Sequence, residues 1–208
     1  MRSASNGSDF TARVEDLCGL KIEVISGEEE AEIGILGALG INDGGILDIG
    51  GASTELIVRQ KGDIVYKKSV NVGVVRLKDL CGRDRVALVD YAEKVVQEFQ
   101  NVPRSKIYAI GGTATSIASI ILKQKTYDGQ AVTGFALTPQ HLLETIDYLT
   151  ATPVEVLVQE TCVPAKRAEV LLGGVIWLLT IVKTLGITEL YVSDADNLEG
   201  YAMKHGLM

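Results

Sequence analysis

The sequence predicts an α/β fold in which a mixed β-sheet is covered by helices. Three observations carry that prediction. Three short strand-like runs crowd between Gly45 and Val70, two isolated strands at Ile107–Ile110 and Glu189–Ser193 lie between helical segments, and the remaining chain repeats apolar residues at helical spacing. With 208 residues, 47% of them hydrophobic, the chain can build one full core and a small appendage.

Taken in order, Asn6, Gly7 and Ser8 offer cap residues ahead of Phe10, Val14 and Leu17, and Gly19 follows as a stop, which predicts a short amphipathic helix. Lys21–Ser26 alternates through Ile22 and Val24 as a strand, and Ser26-Gly27 turns into a helix from Glu28 to about Leu39. Ile46–Ile49, Glu55–Arg59 and Ile64–Val70 read as a β-meander whose second turn is Lys61-Gly62. Leu88, Ala92, Val95, Val96 and Phe99 share one face of a helix over Leu88–Phe99. Thr138-Pro139 and Thr152-Pro153 each pair a capping residue with a proline whose missing N–H costs nothing in a first turn. An apolar helix follows Pro164, and a last helix follows Asp196 after the strand Glu189–Ser193. No internal repeat or low-complexity tract interrupts this order.

A net charge of −7 argues against nonspecific nucleic-acid binding, which needs rows of Lys and Arg against phosphates. Any phosphorylated ligand must therefore be gripped by local donors. Cys18, Cys81 and Cys162 are odd in number, widely spaced and outside any metal pattern, as expected of thiols in a reducing compartment. No apolar run follows Arg2, so no signal peptide is expected. The apolar stretch Val170–Val182 is too short to span a bilayer and reads as a buried core helix, giving no membrane partner and a cytoplasmic location as the expectation. His141 and His205 have no ligand spacing, so neither a zinc site nor histidine catalysis is expected, and both read as surface residues. Lys67-Lys68 and Lys123 with Lys125 read as solvated faces rather than polyanion sites.

Two glycine-rich junctions carry the chemistry. Asp48 ends a buried strand, Gly50-Gly51-Ala52 lets backbone N–H groups turn toward one point, and Ser53 and Thr54 add hydroxyls, a pattern suited to holding a phosphate beside a divalent cation. A plain hairpin turn would use the same glycines. In Ala109-Ile110-Gly111-Gly112-Thr113-Ala114-Thr115 the glycines open a helix, whose first-turn N–H groups bind phosphate. Two such junctions in one small domain outweigh coincidence, although neither matches the P-loop or the dinucleotide fingerprint. Glu28, Glu29 and Glu30 form an acidic first turn that the helix dipole alone would favour.

The order of Ile25-Ser26-Gly27-Glu28-Glu29-Glu30-Ala31, the Asp48–Glu55 segment, Val72-Gly73-Val74-Val75-Arg76-Leu77 and the Gly111–Thr115 loop resembles the exopolyphosphatase/guanosine pentaphosphate phosphohydrolase (Ppx/GppA) family. Pro164 with Arg167-Ala168-Glu169, Val192-Ser193-Asp194 and Glu199-Gly200 extend the resemblance over nearly the whole chain. It implies a ribonuclease-H-like domain of the actin, hexokinase and heat-shock chaperone ATPase superfamily, in which two such domains close around a phosphorylated ligand. It further implies that Glu30 activates the attacking water, that Asp48 and Glu55 serve a catalytic Mg²⁺, that Gly50 and Ser53 contact phosphate oxygens, and that the Gly111–Thr115 loop corresponds to the family's adenosine-type loop, facing the cleft without necessarily binding a nucleotide. The glycine-rich junctions themselves add Gly51, Thr54, Gly111, Gly112 and Thr113 as expected phosphate contacts. Arg76 is left without a fixed role.

Nothing before Phe10 supplies the phosphate loop of the family's first domain. The expectation is that residues 1–30 are the end of domain I and 31–208 are domain II, and that the chain alone hydrolyses little. Ala52 stands where the family has a third glycine, which is tolerable if that position does not need positive φ. No basic residue precedes Glu199-Gly200, so that turn is not expected to hold ligand. The expected partners are polyphosphate or guanosine penta/tetraphosphate, the missing domain I, and a second copy of the chain as a homodimer. The expected activity is hydrolysis of terminal phosphoanhydrides. A non-catalytic phosphonucleotide sensor and a sugar or acetate kinase-like domain are the alternatives, since a fold alone does not select a reaction.

Overall fold

The computed structural model describes residues 6–207, so the first five residues of the expected domain I remnant lie outside the described residues. Its elements run α1 (Gly7–Cys18), α2 (Gly27–Leu39), β1 (Gly44–Ile49), β2 (Thr54–Gln60), β3 (Asp63–Val70), α3 (Val74–Cys81), α4 (Arg85–Val95), β4 (Ile107–Ile110), α5 (Gly111–Ile121), α6 (Gly129–Val132), β5 (Ala136–Leu137), α7 (Pro139–Ala151), α8 (Val154–Glu160), α9 (Ala165–Thr184), β6 (Leu190–Val192) and α10 (Asn197–Lys204). The sheet order is β3-β2-β1-β4-β6-β5. The β1–β2 and β2–β3 pairs are antiparallel, β4 joins β1 and β6 joins β4 in parallel, and β5 closes the far edge antiparallel to β6. This mixed sheet between two helical layers is the ribonuclease-H-like arrangement that the resemblance implies.

Strand alternation sends residues to two unequal cores. Leu47, Leu56, Val58 and Ala109 face the larger one, built around α9 with α3, α4, α5 and α7. Its centre is Trp177, which is fully buried and donates its indole N–H to Thr54 Oγ1 at 2.8 Å. Ile46, Ile57 and Ile110 face the smaller core under α2. There α2 and α10 cross closely, with Gly37 against the Asp196 carbonyl and Gly200 against that of Ile33.

Several expected elements take a different form. Lys21–Ser26 has the alternation of a strand but runs as irregular chain to the Ser26 cap of α2. The helix expected over Leu88–Phe99 starts earlier, because Asp84 accepts from Val86 N–H and Ala87 N–H, and it tightens to a 3₁₀ turn at Val96–Glu98. Thr138 caps α7 with Pro139 in its first turn, whereas Thr152 closes α7 and Pro153 itself is the residue preceding α8. Lys61 and Gly62 both take positive φ, 56° and 85°, as a two-residue hairpin turn requires. His141 is half-buried rather than a plain surface residue, because its ring stacks on Phe135 while its Nδ1 accepts from Thr138 N–H. No helix among the described residues is long and apolar enough to cross a membrane.

Candidate active site

Parallel strands β1, β4 and β6 end at the same edge of the sheet, and in open α/β sheets the crevice beyond such carboxyl ends is where ligands bind. Asp48 lies one residue before the end of β1, Gly111 follows β4 directly, and Asp196 follows β6 as the N-cap of α10. Glu55 sits directly across from Asp48 in the β1–β2 ladder. Glu30 stands in the first turn of α2, half-buried, with its N–H on the Ser26 carbonyl at 3.0 Å.

These acids act on one another. Burial pushes the Asp48 carboxyl up to about 7, and the charges of Glu55, Asp196 and Glu30 push it the same way. Like charges placed directly opposite in a ladder destabilise it. The cluster is therefore a strongly negative, partly desolvated point that a cation would relieve. The charged groups that act on Asp48 are carboxylates, hard oxygen donors that suit Mg²⁺ or Ca²⁺ rather than a softer metal. Among the described residues no three acidic, histidine or cysteine side chains close into a metal cage.

The loop between β1 and β2 joins the strands that carry Asp48 and Glu55. Gly50 N–H donates to the Ser53 carbonyl at 3.0 Å, while the Gly50 and Gly51 carbonyls accept from Val74 N–H and Val75 N–H at the start of α3. Gly50 therefore shapes the turn, and its amide is already committed. Thr54 is fully buried: its hydroxyl donates to the Val72 carbonyl at 2.5 Å and accepts from Trp177, which removes it from the expected phosphate contacts. Thr113 is likewise buried and donates its hydroxyl to the Ile49 carbonyl at 3.1 Å, so it ties the two glycine junctions together rather than reaching outward. The amides of Gly51, Ala52 and Ser53 have no acceptor among the described residues and are the donors the loop offers. Ala52 is not among the residues of positive φ, so its side chain costs the turn nothing. Nor are Gly50 and Gly51, so no positive φ demands glycine at either position.

Gly111 and Gly112 each bring backbone close to a charged side chain. A Cβ on Gly111, where φ is +78°, would lie 2.7 Å from Asp48 Oδ1, and one on Gly112 would lie 2.5 Å from the Arg167 guanidinium. The second junction thus brings the acid cluster and a cation against one stretch of backbone. Arg167 reaches from the first turn of α9, its Nη1 3.5 Å from Ser116 Oγ. Beside it opens a cavity of about 360 Å³ whose lining includes Gly112, Ser116, Tyr127, Cys162, Arg167 and Asp194. The Tyr127 hydroxyl donates to the Asp194 carboxylate, and burial followed by that bond pushes its pKa up to about 12, so it remains a donor at any physiological pH. Glu55 accepts from Ser69 Oγ at 2.7 Å. Glu199 folds back on Asp196 N–H in a capping box, leaving its side chain committed to the helix end.

The sequence reading gave Arg167, Tyr127 and Asp196 no site role. For Arg167 a signal existed, since a cation in the first turn of a helix opposes the dipole and needs an external reason.

The family model for the Ppx/GppA phosphatase family matches residues 1–207. Bifunctional 3-dehydroquinate synthase/phosphatase of Fusobacterium nucleatum is 29% identical over 96% of this chain and 32% of its own length. Exopolyphosphatase 2 of Mycobacterium tuberculosis is 29% identical over 97% of the chain and 71% of its own length. Guanosine-5'-triphosphate,3'-diphosphate pyrophosphatase of Vibrio cholerae is 28% identical over 100% of the chain and 42% of its own length. The chain thus spans from about a third to under three quarters of these relatives. The crystal structure of the Aquifex aeolicus member of the same family superposes with a TM-score of 0.86 at 27% identity, covering 99% of this chain and 71% of that one.

Proposed function

The chain belongs to the Ppx/GppA phosphatase family, and from that premise we propose that it is the metal- and phosphate-gripping lobe of a hydrolase removing terminal phosphoryl groups from inorganic polyphosphate or guanosine pentaphosphate. Its fold is that of the actin-like ATPases. The observation that carries the reading is the meeting of Asp48, Glu55, Asp196 and Glu30 with a loop of outward amides at the carboxyl ends of parallel strands.

Phosphoanhydride hydrolysis needs a placed water, a group to take its proton, and donors for the charge on the transferring phosphoryl. Glu30 takes the proton in this reading, held at the cleft by the capped first turn of α2. The amides of Gly51, Ala52 and Ser53 receive the phosphoryl oxygens. Asp48, with Glu55 across the ladder, would hold Mg²⁺, which when bound supplies positive charge to the phosphate oxygens. In this reading a first lobe supplies the opposite wall; α2 runs unbroken from Gly27 to Leu39 through the expected boundary at residues 30 and 31, so Glu30 stands with the present lobe. The cavity beside Arg167 favours the nucleotide substrate, because it sets a cation, hydroxyls and a protonated tyrosine next to the phosphate loops, where a nucleoside can lie.

The test is orthophosphate release by the intact protein from polyphosphate and from guanosine pentaphosphate, with and without Mg²⁺, beside Glu30→Gln. Loss of about 10²–10⁴-fold in kcat is expected for the variant. Equal release by both proteins would remove Glu30 from the mechanism. Tight nucleotide binding without turnover would make the protein a sensor instead.

A further inference from the structure

We propose that Arg76 is a positioning residue that turns the phosphate loop outward from behind, acting through the Ala52–Ser53 peptide rather than on the phosphoryl group. The inference rests on the proposed phosphohydrolase reading for its kinetic consequences and on geometry for everything else.

All described peptides are trans, so each carbonyl points opposite to the N–H of the next residue. In the β1–β2 loop three successive carbonyls are held from one side. The Gly50 carbonyl accepts from Val74 N–H at 3.0 Å, the Gly51 carbonyl from Val75 N–H at 2.9 Å and Arg76 N–H at 3.3 Å, and the Ala52 carbonyl from Arg76 Nε at 3.2 Å. The matching amides, those of Gly51, Ala52 and Ser53, are thereby turned away from α3. Helix α3 supplies two of the three holds from backbone; the third comes from a side chain, that of Arg76. Gly73 lets the helix come that close, since a Cβ there would lie 2.5 Å from the Gly50 carbonyl oxygen.

The first turn of α3 would ordinarily be an anion site itself, but here its N–H groups face the loop carbonyls. The helix therefore passes its polarity through the loop peptides to their outward amides. The final peptide, which carries Ser53 N–H, depends on one exposed arginine. Because Arg76 meets the carbonyl face of that peptide, an anion on the amide face lies on the far side from it, so the role is alignment.

The test uses Arg76→Met, which keeps length and removes the donor, and Arg76→Lys, which restores one donor. In the ¹⁵N-labelled chain, pyrophosphate should shift the Gly51, Ala52 and Ser53 amides; Arg76→Met should abolish the Ser53 response while leaving that of Gly51, and Arg76→Lys should recover it. In the intact protein, tripolyphosphate hydrolysis by Arg76→Met should lose about tenfold in kcat with a smaller change in KM, less than deletion of an oxyanion donor because the amide is loosened and not removed. An Arg76→Met protein with a wild-type Ser53 response, an Arg76→Lys protein no better than the methionine variant, or wild-type amides silent to pyrophosphate would each overturn the proposal. Amide responses as expected in a wild-type protein that hydrolyses nothing would instead sink the phosphohydrolase reading and leave the positioning role standing.

Discussion

Replacing Thr54 by valine separates a structural hydroxyl from a phosphate ligand. Thr54 is fully buried, donates to the Val72 carbonyl at 2.5 Å and accepts from Trp177 Nε1 at 2.8 Å. Valine has the same shape but no hydroxyl, so both partners lose their bond inside the core. An unsatisfied buried polar group costs about 1–3 kcal/mol, and two of them less the gain of about 1 kcal/mol for an added buried methyl leave a net loss of about 1–5 kcal/mol. Thr54→Ser keeps the hydroxyl and drops only the methyl, at about 1 kcal/mol. Trp177 is the sole tryptophan in the sequence, so urea unfolding followed by its fluorescence reports the network directly, with circular dichroism as the check on the global transition. The expected order of stability is wild type, Thr54→Ser, Thr54→Val. In the intact protein the folded fraction of Thr54→Ser should keep wild-type KM. A valine variant as stable as wild type, or a serine variant with raised KM, would refute the assignment of this hydroxyl to the core.

Two further predictions concern the cleft. Because burial and its neighbours raise the Asp48 pKa from 3.8 to about 7, the folded state binds that proton more tightly than the unfolded one; its contribution to stability is complete below about pH 4 and is lost as pH rises through 7. Without metal, the melting temperature should therefore fall between pH 5 and pH 8, with a slope that Asp48→Asn flattens and that millimolar Mg²⁺ reduces; a slope unchanged in the asparagine variant would place the titration elsewhere. Gly112→Ala puts a Cβ where the Arg167 guanidinium now lies, and since that group ends a flexible side chain the fold should survive with stability within about 1 kcal/mol of wild type. It should nevertheless match Arg167→Met in weakening guanosine pentaphosphate binding by about tenfold, the loss of one charged hydrogen-bonding partner, which calorimetry would measure; full retention of affinity by both variants would empty the cavity of its proposed role.

How much of this was legible in the sequence depends on the range of the forces involved. The Lys61-Gly62 turn, the Thr138 cap and the glycine opening of α5 are local, and the structure reproduces them because turn and cap chemistry needs only neighbouring residues. Lys21–Ser26 has the alternation of a strand and yet is not one among the described residues, because alternation alone does not supply the pairing that a ladder needs. Helix α3 is short and takes its place from the loop carbonyls its amides hold, a contact that no periodicity records.

Strand parity decides which of the hydroxyls and carboxylates around the β1–β2 loop can share a ligand. Asp48 and Glu55 face the same side of the sheet, being cross-strand partners, so Thr54, one residue from Glu55, must face the other. A residue set that asks Asp48, Thr54 and Glu55 all to meet one ligand contradicts the period of two. The same parity assigns Ile57 and Ile46 to the α2 side, and Leu47, Leu56 and Val58 to α9. Thr113 escaped by a different route: it opens a helix, and whether its hydroxyl turns outward or inward depends on the Ile49 carbonyl, far away in sequence. What remains on the ligand side is carboxylate, backbone amide, the hydroxyls of Ser116 and Tyr127, and one arginine, Arg167, placed against its own helix dipole. Side chains thus supply the negative half of the cleft and backbone most of its positive half. Residue types announce the first in sequence, whereas the second becomes visible only once the carbonyls behind the loop have been assigned their donors.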